Sequence, residues 1–266
     1  MRNGISTGKK LEVSVQREVK HVVRGHPLGK PAAFEDRIVR RRIELVRGID
    51  GFVSKQCTLI DIGCGNGASL FLLAGEMASC LGIDISSENE SIFEDYKRRH
   101  SIRNCEFLRF DIENESPRRT FDRLISFEVI EHLRDEQSVK FYYDVLKDGG
   151  LAAITVPNKS WVFETHGANL PLLPWNRVPF FSWLPTRTHE KFANARIYTK
   201  KRISTLLRSV GFEIVNMVYV TAPMDVLREG RLKSFLIRYI FRHDTTWIPF
   251  FATSIFVLAR KRIHGN

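Results

Sequence analysis

The run Leu59–Gly67, LIDIGCGNG, delivers an apolar stretch directly into Gly63, Gly65 and Gly67. Glycine lets a backbone bend sharply and lets a ligand approach with no Cβ in between. The N–H groups at the start of a following helix favour a negative group. Asp61, at the end of the apolar stretch, can accept a hydrogen bond from a bound ammonium. Asp84 ends the next apolar stretch about 20 residues on, where an acid holds ribose hydroxyls. Asp111 ends a third, where a carboxylate can meet an exocyclic adenine amine. A glycine bend beside these acids describes a site for an adenosine-type cofactor.

Two cofactors fit that bend. Gly63, Gly65 and Ala68 satisfy the relaxed dinucleotide pattern G-x-G-x-x-G/A, which leaves an NAD-binding oxidoreductase as an alternative. Asp61 argues for the other, because a pyrophosphate would be repelled by a carboxylate there. The amino-acid tail of S-adenosylmethionine (SAM) carries an ammonium instead. Its methyl group is already activated on a sulfonium, so the protein must align an acceptor and, for an oxygen, remove a proton. The candidates for that proton are Glu131 and His132, after the fourth apolar stretch, and His166 and His189, in a later aromatic-rich segment. The chemistry requires no metal. Cys57, Cys64, Cys80 and Cys105 form no CxxC pair and show no zinc spacing with histidine.

The ordered set Asp61–Gly67, Gly82–Ile85, Asp111-Ile112, Phe121-Asp122, Glu128–Leu133 and Leu146–Gly150 resembles the class I SAM-dependent methyltransferases. More narrowly, it is similar to the branch that includes the ubiquinone-biosynthesis O-methyltransferases. The resemblance covers roughly residues 40–160. It implies that Gly63, Gly65 and Gly67 border the methionine part of SAM and that Asp61 supports its ammonium. It places Asp84, with its neighbour Ile85, at the ribose, and Asp111 and Ile112 at the adenine. Phe127 and Glu128 would face the methyl-transfer end. It also implies a seven-stranded, mostly parallel sheet whose last strand is antiparallel.

The elements that must position these residues alternate. Apolar runs at Thr58–Ile62, Cys80–Ile85, Cys105–Phe110, Phe121–Phe127 and Leu151–Val156 predict strands. Between them the pattern predicts helices at Ala68–Ser79, Ser91–His100 and 135–147, with another before them at Phe34–Val46. Near-continuous apolar strands separated by helices argue for a doubly wound α/β fold, its sheet buried on both faces. The rhythm breaks at Pro157. Residues 157–195 form an aromatic-rich insertion, a helix is predicted over Tyr198–Val210, and strands over Phe212–Val220 and Phe251–Leu258 enclose a second excursion at 223–245. Residues 1–33 are expected to be a flexible basic lead-in to one domain spanning 34–266.

Lys and Arg number 41 against 30 Asp and Glu, a net charge of +11 that favours an anionic partner. Arg40-Arg41-Arg42, Lys97-Arg98-Arg99 and Lys200-Lys201-Arg202 keep an RNA or other nucleic-acid methyltransferase as an alternative. No Asn/Asp-Pro-Pro-aromatic motif and no Pro-Cys pair is present, which disfavours methylation of base amines and of cytosine C5. The aromatics Trp161, Phe163, Trp175, Phe180, Phe181 and Trp183, with Leu170, Leu172 and Leu173, suit an apolar acceptor or a membrane interface. Leu232, Phe235, Leu236, Tyr239 and Ile240 form a helical stripe flanked by Arg231, Lys233, Arg238 and Arg242, as in helices that lie on anionic membranes. The expected acceptor is therefore a small or lipid-linked molecule near a membrane surface. With no secretory signal at the N-terminus and no apolar run of about 20 residues, a cytoplasmic, peripheral protein is expected.

Overall fold

Five strands carry the centre of the molecule: β1 (Thr58–Ile62), β2 (Ser79–Asp84), β3 (Cys105–Arg109), β4 (Phe121–Phe127) and β5 (Leu146–Pro157). They lie side by side as β5-β4-β1-β2-β3, all parallel. In this computed structural model, residues 34–164, 166, 179–224, 227–228 and 230–263 are described, with backbone alone at 22–23, 26–27, 168–170 and 173–175. The lead-in expected at residues 1–33 lies outside them, apart from a two-residue ladder pairing Val22–Val23 with His26–Pro27.

The sheet continues past β5 through β8 (Ala252–Lys261), β6 (Phe212–Thr221) and β7 (Thr245–Thr246). Strand β8 inserts between β5 and β6 and is antiparallel to both, as expected of the last strand. The sheet therefore has eight strands and not seven. The eighth is β7, a two-residue edge strand that pairs Thr245 and Thr246 with Val220 and Tyr219. It begins at the last residue of the excursion read at 223–245.

Residues of β1 alternate between two cores, as period-two side chains of a strand covered on both faces must. Leu59 joins Val39, Leu70, Phe71 and Phe93, from α1 (Arg37–Arg47), α2 (Ala68–Ala74) and α3 (Ser87–Arg99). Ile60 and Ile62 join Tyr142 and Leu207, from α4 (Lys140–Asp144) and α6 (Lys200–Ser209). The helix expected over 135–147 is shorter than its apolar spacing suggests. A 3-10 turn at Glu136–Val139, capped by the Asp135 side chain, precedes α4, and β5 already begins at Leu146.

The β3–β4 connection is also unusual. The segment 110–120 crosses back with no helix. The chain winds β1, β2, β3 to one side and then lays β4 on the other side of β1. In such sheets a ligand crevice opens beyond the carboxyl ends of the strands flanking this reversal.

Candidate functional site

At that reversal, the ends of β1 and β4 border a cavity of about 520 Å³. Gly63 leaves β1 with φ +70°, and a Cβ built on it would lie 2.4 Å from Val129 Cγ2. Only glycine fits both the conformation and the space. The N–H groups of Gly63 and Cys64 both donate to the Ile83 carbonyl, which fixes the bend against β2. The N–H of Gly65 donates to Asp84 Oδ2 at 2.9 Å, while Asp84 Oδ1 accepts from the Ser86 N–H and the Asn89 side chain. Asp84 thus ties the glycine bend to the start of α3.

Asp61, Gly63, Gly65, Asp84, Ile85, Asp111, Ile112, Phe127 and Glu128 all line the cavity. Gly67 does not. It has φ +82°, and a Cβ there would meet the Phe93 and Phe71 rings, so this glycine serves helix packing behind the bend. Asp61 is buried, and burial together with the charge of Asp84 pushes its carboxyl well above the usual range. That strain is relieved by a cation, which is what a sulfonium nucleoside with a free ammonium brings. Asp111 spends its carboxylate partly on its own loop, accepting from the Glu113 N–H and the Asn114 side chain. Glu113 in turn accepts the N–H groups of Arg134 and Asp135, joining this loop to the segment after β4.

At the other end, Glu128 adopts a left-handed backbone, φ 59°. Its carboxylate meets the Arg42 guanidinium at 2.9 Å, and Arg42 also stands 5.7 Å from the centroid of the Phe127 ring. Arg42 lines the cavity and is a site residue that reading the sequence as a basic cluster missed. The available signal was its position three residues after Val39, on the apolar stripe of α1. The arginine cluster is not a surface patch. Arg41 is 3% exposed and donates to the carbonyls of Thr221, Ala222 and Phe241. Arg98 and Arg99 pair with Asp95, Lys97 with Glu94, and Arg202 with Glu136 and Glu190. These pairings offset part of the charge proposed for a nucleic-acid track.

The four proton-transfer candidates separate into two groups. His132 and His166 line the cavity, with ring centroids 5.3 Å apart. Glu131 is buried just behind them, 3.6 Å from His166 Nε2. Burial, and then the neighbouring Glu128 carboxylate, push the Glu131 carboxyl well above its usual range. His189 lies outside the cavity. It is fully buried on α5 (Thr186–Phe192) and meets Glu164 at 2.7 Å. One nitrogen or oxygen atom from each of Glu131, His132 and His166 lies within 4.8 Å of the others, a grouping that no sequence spacing announced.

A family profile described as a methyltransferase domain matches residues 31–217. The chain belongs to this methyltransferase family. Its fold agrees: a SAM-dependent methyltransferase from Mesorhizobium loti superposes with a TM-score of 0.58 at 15% identity, covering 88% of this chain and 100% of that one. Coclaurine N-methyltransferase, solved with SAH (the demethylated form of SAM), gives 0.53 at 17% identity, covering 84% and 72%. Among curated relatives, the ubiquinone biosynthesis O-methyltransferase of Pelagibacter ubique is 31% identical over 149 residues, 52% of this chain and 56% of that protein. The chain spans about half the length of such relatives. The methyltransferase family decides against the dinucleotide alternative. SAM is the cofactor, and the acid-lined, Cβ-free bend suits its cationic tail.

Proposed function

We propose that this methyltransferase transfers the SAM methyl group to a hydroxyl of a small or lipid-linked acceptor held at a membrane surface. The observation that carries the oxygen assignment is the meeting of His132 and His166 at the Phe127–Glu128 end of the cavity. An amine acceptor can be used as its free base, whereas a hydroxyl gains from a positioned base, typically 10²–10⁴-fold. Within this reading SAM lies with its ammonium at Asp61, its ribose at Asp84 and Ile85, its adenine between Asp111 and Ile112, and its methyl group towards Glu128. One histidine accepts the acceptor's proton. Glu131 stands behind them, 3.6 Å from His166 Nε2. The names of the ubiquinone-pathway relatives favour a polyprenyl phenol or hydroquinone as acceptor.

The surface supports the membrane part. Phe180, Trp183, Phe250 and Trp247 are exposed, Trp247 at 86%, with the Trp183 and Phe250 rings 5.6 Å apart. Helix α7 (Arg231–Tyr239) has no buried residue and exposes Leu232, Phe235 and Tyr239 beside its basic side chains. Among the described residues no helix is long and apolar enough to cross a membrane. The test is transfer of labelled methyl from SAM to a short-chain polyprenyl catechol, with and without phosphatidylglycerol vesicles. Transfer stimulated by vesicles, and reduced by Arg231→Glu with Lys233→Glu, is expected. Equal rates with and without vesicles remove the membrane element; transfer only to amine acceptors removes the oxygen assignment.

A further inference from the structure

We propose that Glu164 is the positioning residue for His166: its carboxylate, seated on His189, fixes where the insertion sets the His166 ring at the reaction end of the cavity. The proposal rests on the acid–base reading of His166 given above. Glu164 and His189 are 1% and 0% exposed. Glu164 Oε2 lies 2.7 Å from His189 Nε2 and accepts from the Ser182 hydroxyl at 3.4 Å. Its other oxygen, Oε1, accepts the backbone N–H of His166 at 3.0 Å. A buried carboxylate is costly unless such donors surround it. Burial would raise this carboxyl, but the His189 ring and the His166 N–H outweigh it and hold it below the usual range.

The tautomer follows from what surrounds the ring. His189 Nδ1 is buried with no hydrogen-bond partner among the described residues. The Glu164 carboxylate accepts, so Nε2 carries a proton and donates to it. Set against well-packed apolar residues, a buried polar pair of this kind adds little net stability. What it does supply is geometry. The His166 carbonyl is held as well, by the Asn194 side chain at 3.0 Å. Two residues on, Arg196 donates its backbone N–H to the Glu131 carbonyl and its guanidinium to the carbonyls of Leu133 and Arg134. The returning limb of the insertion therefore sets His166 in register with the segment carrying Glu131 and His132. The 3.6 Å approach of His166 to Glu131 is the result.

Glu164→Gln keeps the shape but offers one acceptor oxygen to three donors. In the SAH-bound protein it is expected to shift the ring signals of His166 and His132 in NMR spectra and to speed exchange of the His166 amide about tenfold or more. SAH affinity should stay within about twofold, because Glu164 does not line the cofactor cavity. The rate of methyl transfer to a catechol probe, protocatechuate, should fall by about tenfold or more, and the loss should not add to that of His166→Gln in the double variant. Unchanged ring signals in folded Glu164→Gln, or an SAH affinity that falls in step with the rate, would overturn the proposal. Should Glu164→Gln fail to fold, Asn194→Ala removes the other hold on His166, and unchanged ring signals there overturn it equally. Displaced His166 signals in Glu164→Gln, combined with wild-type turnover of His166→Gln, would leave the positioning role standing and remove the acid–base reading.

Discussion

Replacing Asp84 with alanine should weaken cofactor binding far more than it weakens the fold. In the structure this carboxylate accepts three hydrogen bonds, from the Gly65 N–H at 2.9 Å, the Ser86 N–H at 2.8 Å and the Asn89 amide at 3.3 Å. It also lines the cavity, where ribose hydroxyls would add two charge-assisted bonds. Such bonds contribute about 1.5–3 kcal/mol each, and water recovers part of that in the variant. A second effect opposes the loss: without the Asp84 charge, Asp61 ionises more readily and meets the ammonium better. The net expectation is about 2–3 kcal/mol, a rise in SAH dissociation constant of roughly 30–150-fold. Calorimetry with SAH measures it, and thermal melting of the unliganded variant separates it from unfolding. Asp84→Asn should lose nearly as much, since its amide presents a donor where the Gly65 N–H or a ribose hydroxyl also donates. A folded Asp84→Ala protein that binds SAH within about threefold of wild type would refute the ribose assignment and the argument built on it.

Gly63→Ala should abolish SAM binding and cost about 1–3 kcal/mol, because its Cβ would overlap Val129 at a backbone φ of +70°; adding Val129→Ala should restore part of the stability but little of the affinity, as read by melting and calorimetry. Arg41→Met should lower stability by about 2–4 kcal/mol in denaturant titrations, since it strands the buried carbonyls of Thr221, Ala222 and Phe241. Asp122 is raised by burial but held down to about 2 overall by the Thr58 N–H and hydroxyl and by Lys147. A depressed carboxyl stabilises the fold above its unfolded value near 3.9 and loses that contribution as pH falls towards 2. Wild type should therefore lose about 1–2 kcal/mol more than Asp122→Asn between pH 5 and pH 2, after allowing for solvent screening. Equal acid sensitivity of the two proteins would contradict the assignment.

The cofactor end of this site was legible in the sequence because it depends on local backbone. A strand that ends in glycine, with an acid at each following strand end, encodes bend and hydrogen-bond acceptors within a few residues. The reaction end was not, because it assembles residues far apart in the chain. Arg42 reaches Glu128 across 86 positions, and Glu164, His189 and Asn194 meet around His166 only after the insertion folds back. Charge type misled at Arg41 and Arg42, where a basic triplet looked like a surface and two of its members are buried. The eighth strand was hidden for a different reason. Two threonines at a sheet edge carry no periodicity, and Val220 and Tyr219 supply their pairing.

The location of the excess positive charge bears on the partner more directly than its total. Residues 1–33 carry seven basic and two acidic side chains, and residues 231–242 carry four basic and none acidic. Together these two stretches account for +9 of the net +11. The rest of the chain, with its buried Arg41 and Arg42 and its paired helix faces, is close to neutral. A nucleic-acid track would set uncompensated cations along the rim of the cleft, where a long polyanion must pass to reach the methyl group. Here most of the described part of the excess sits on and just after α7, beside exposed Leu232, Phe235 and Tyr239. Cations beside exposed apolar side chains suit a surface that is anionic and apolar at once, which is the chemistry of a lipid headgroup region. Binding to such a surface should weaken as salt rises, and by about 1 kcal/mol for each basic side chain removed near it. An RNA partner would instead respond to removing the cations that rim the cavity, and would be indifferent to Leu232 and Phe235.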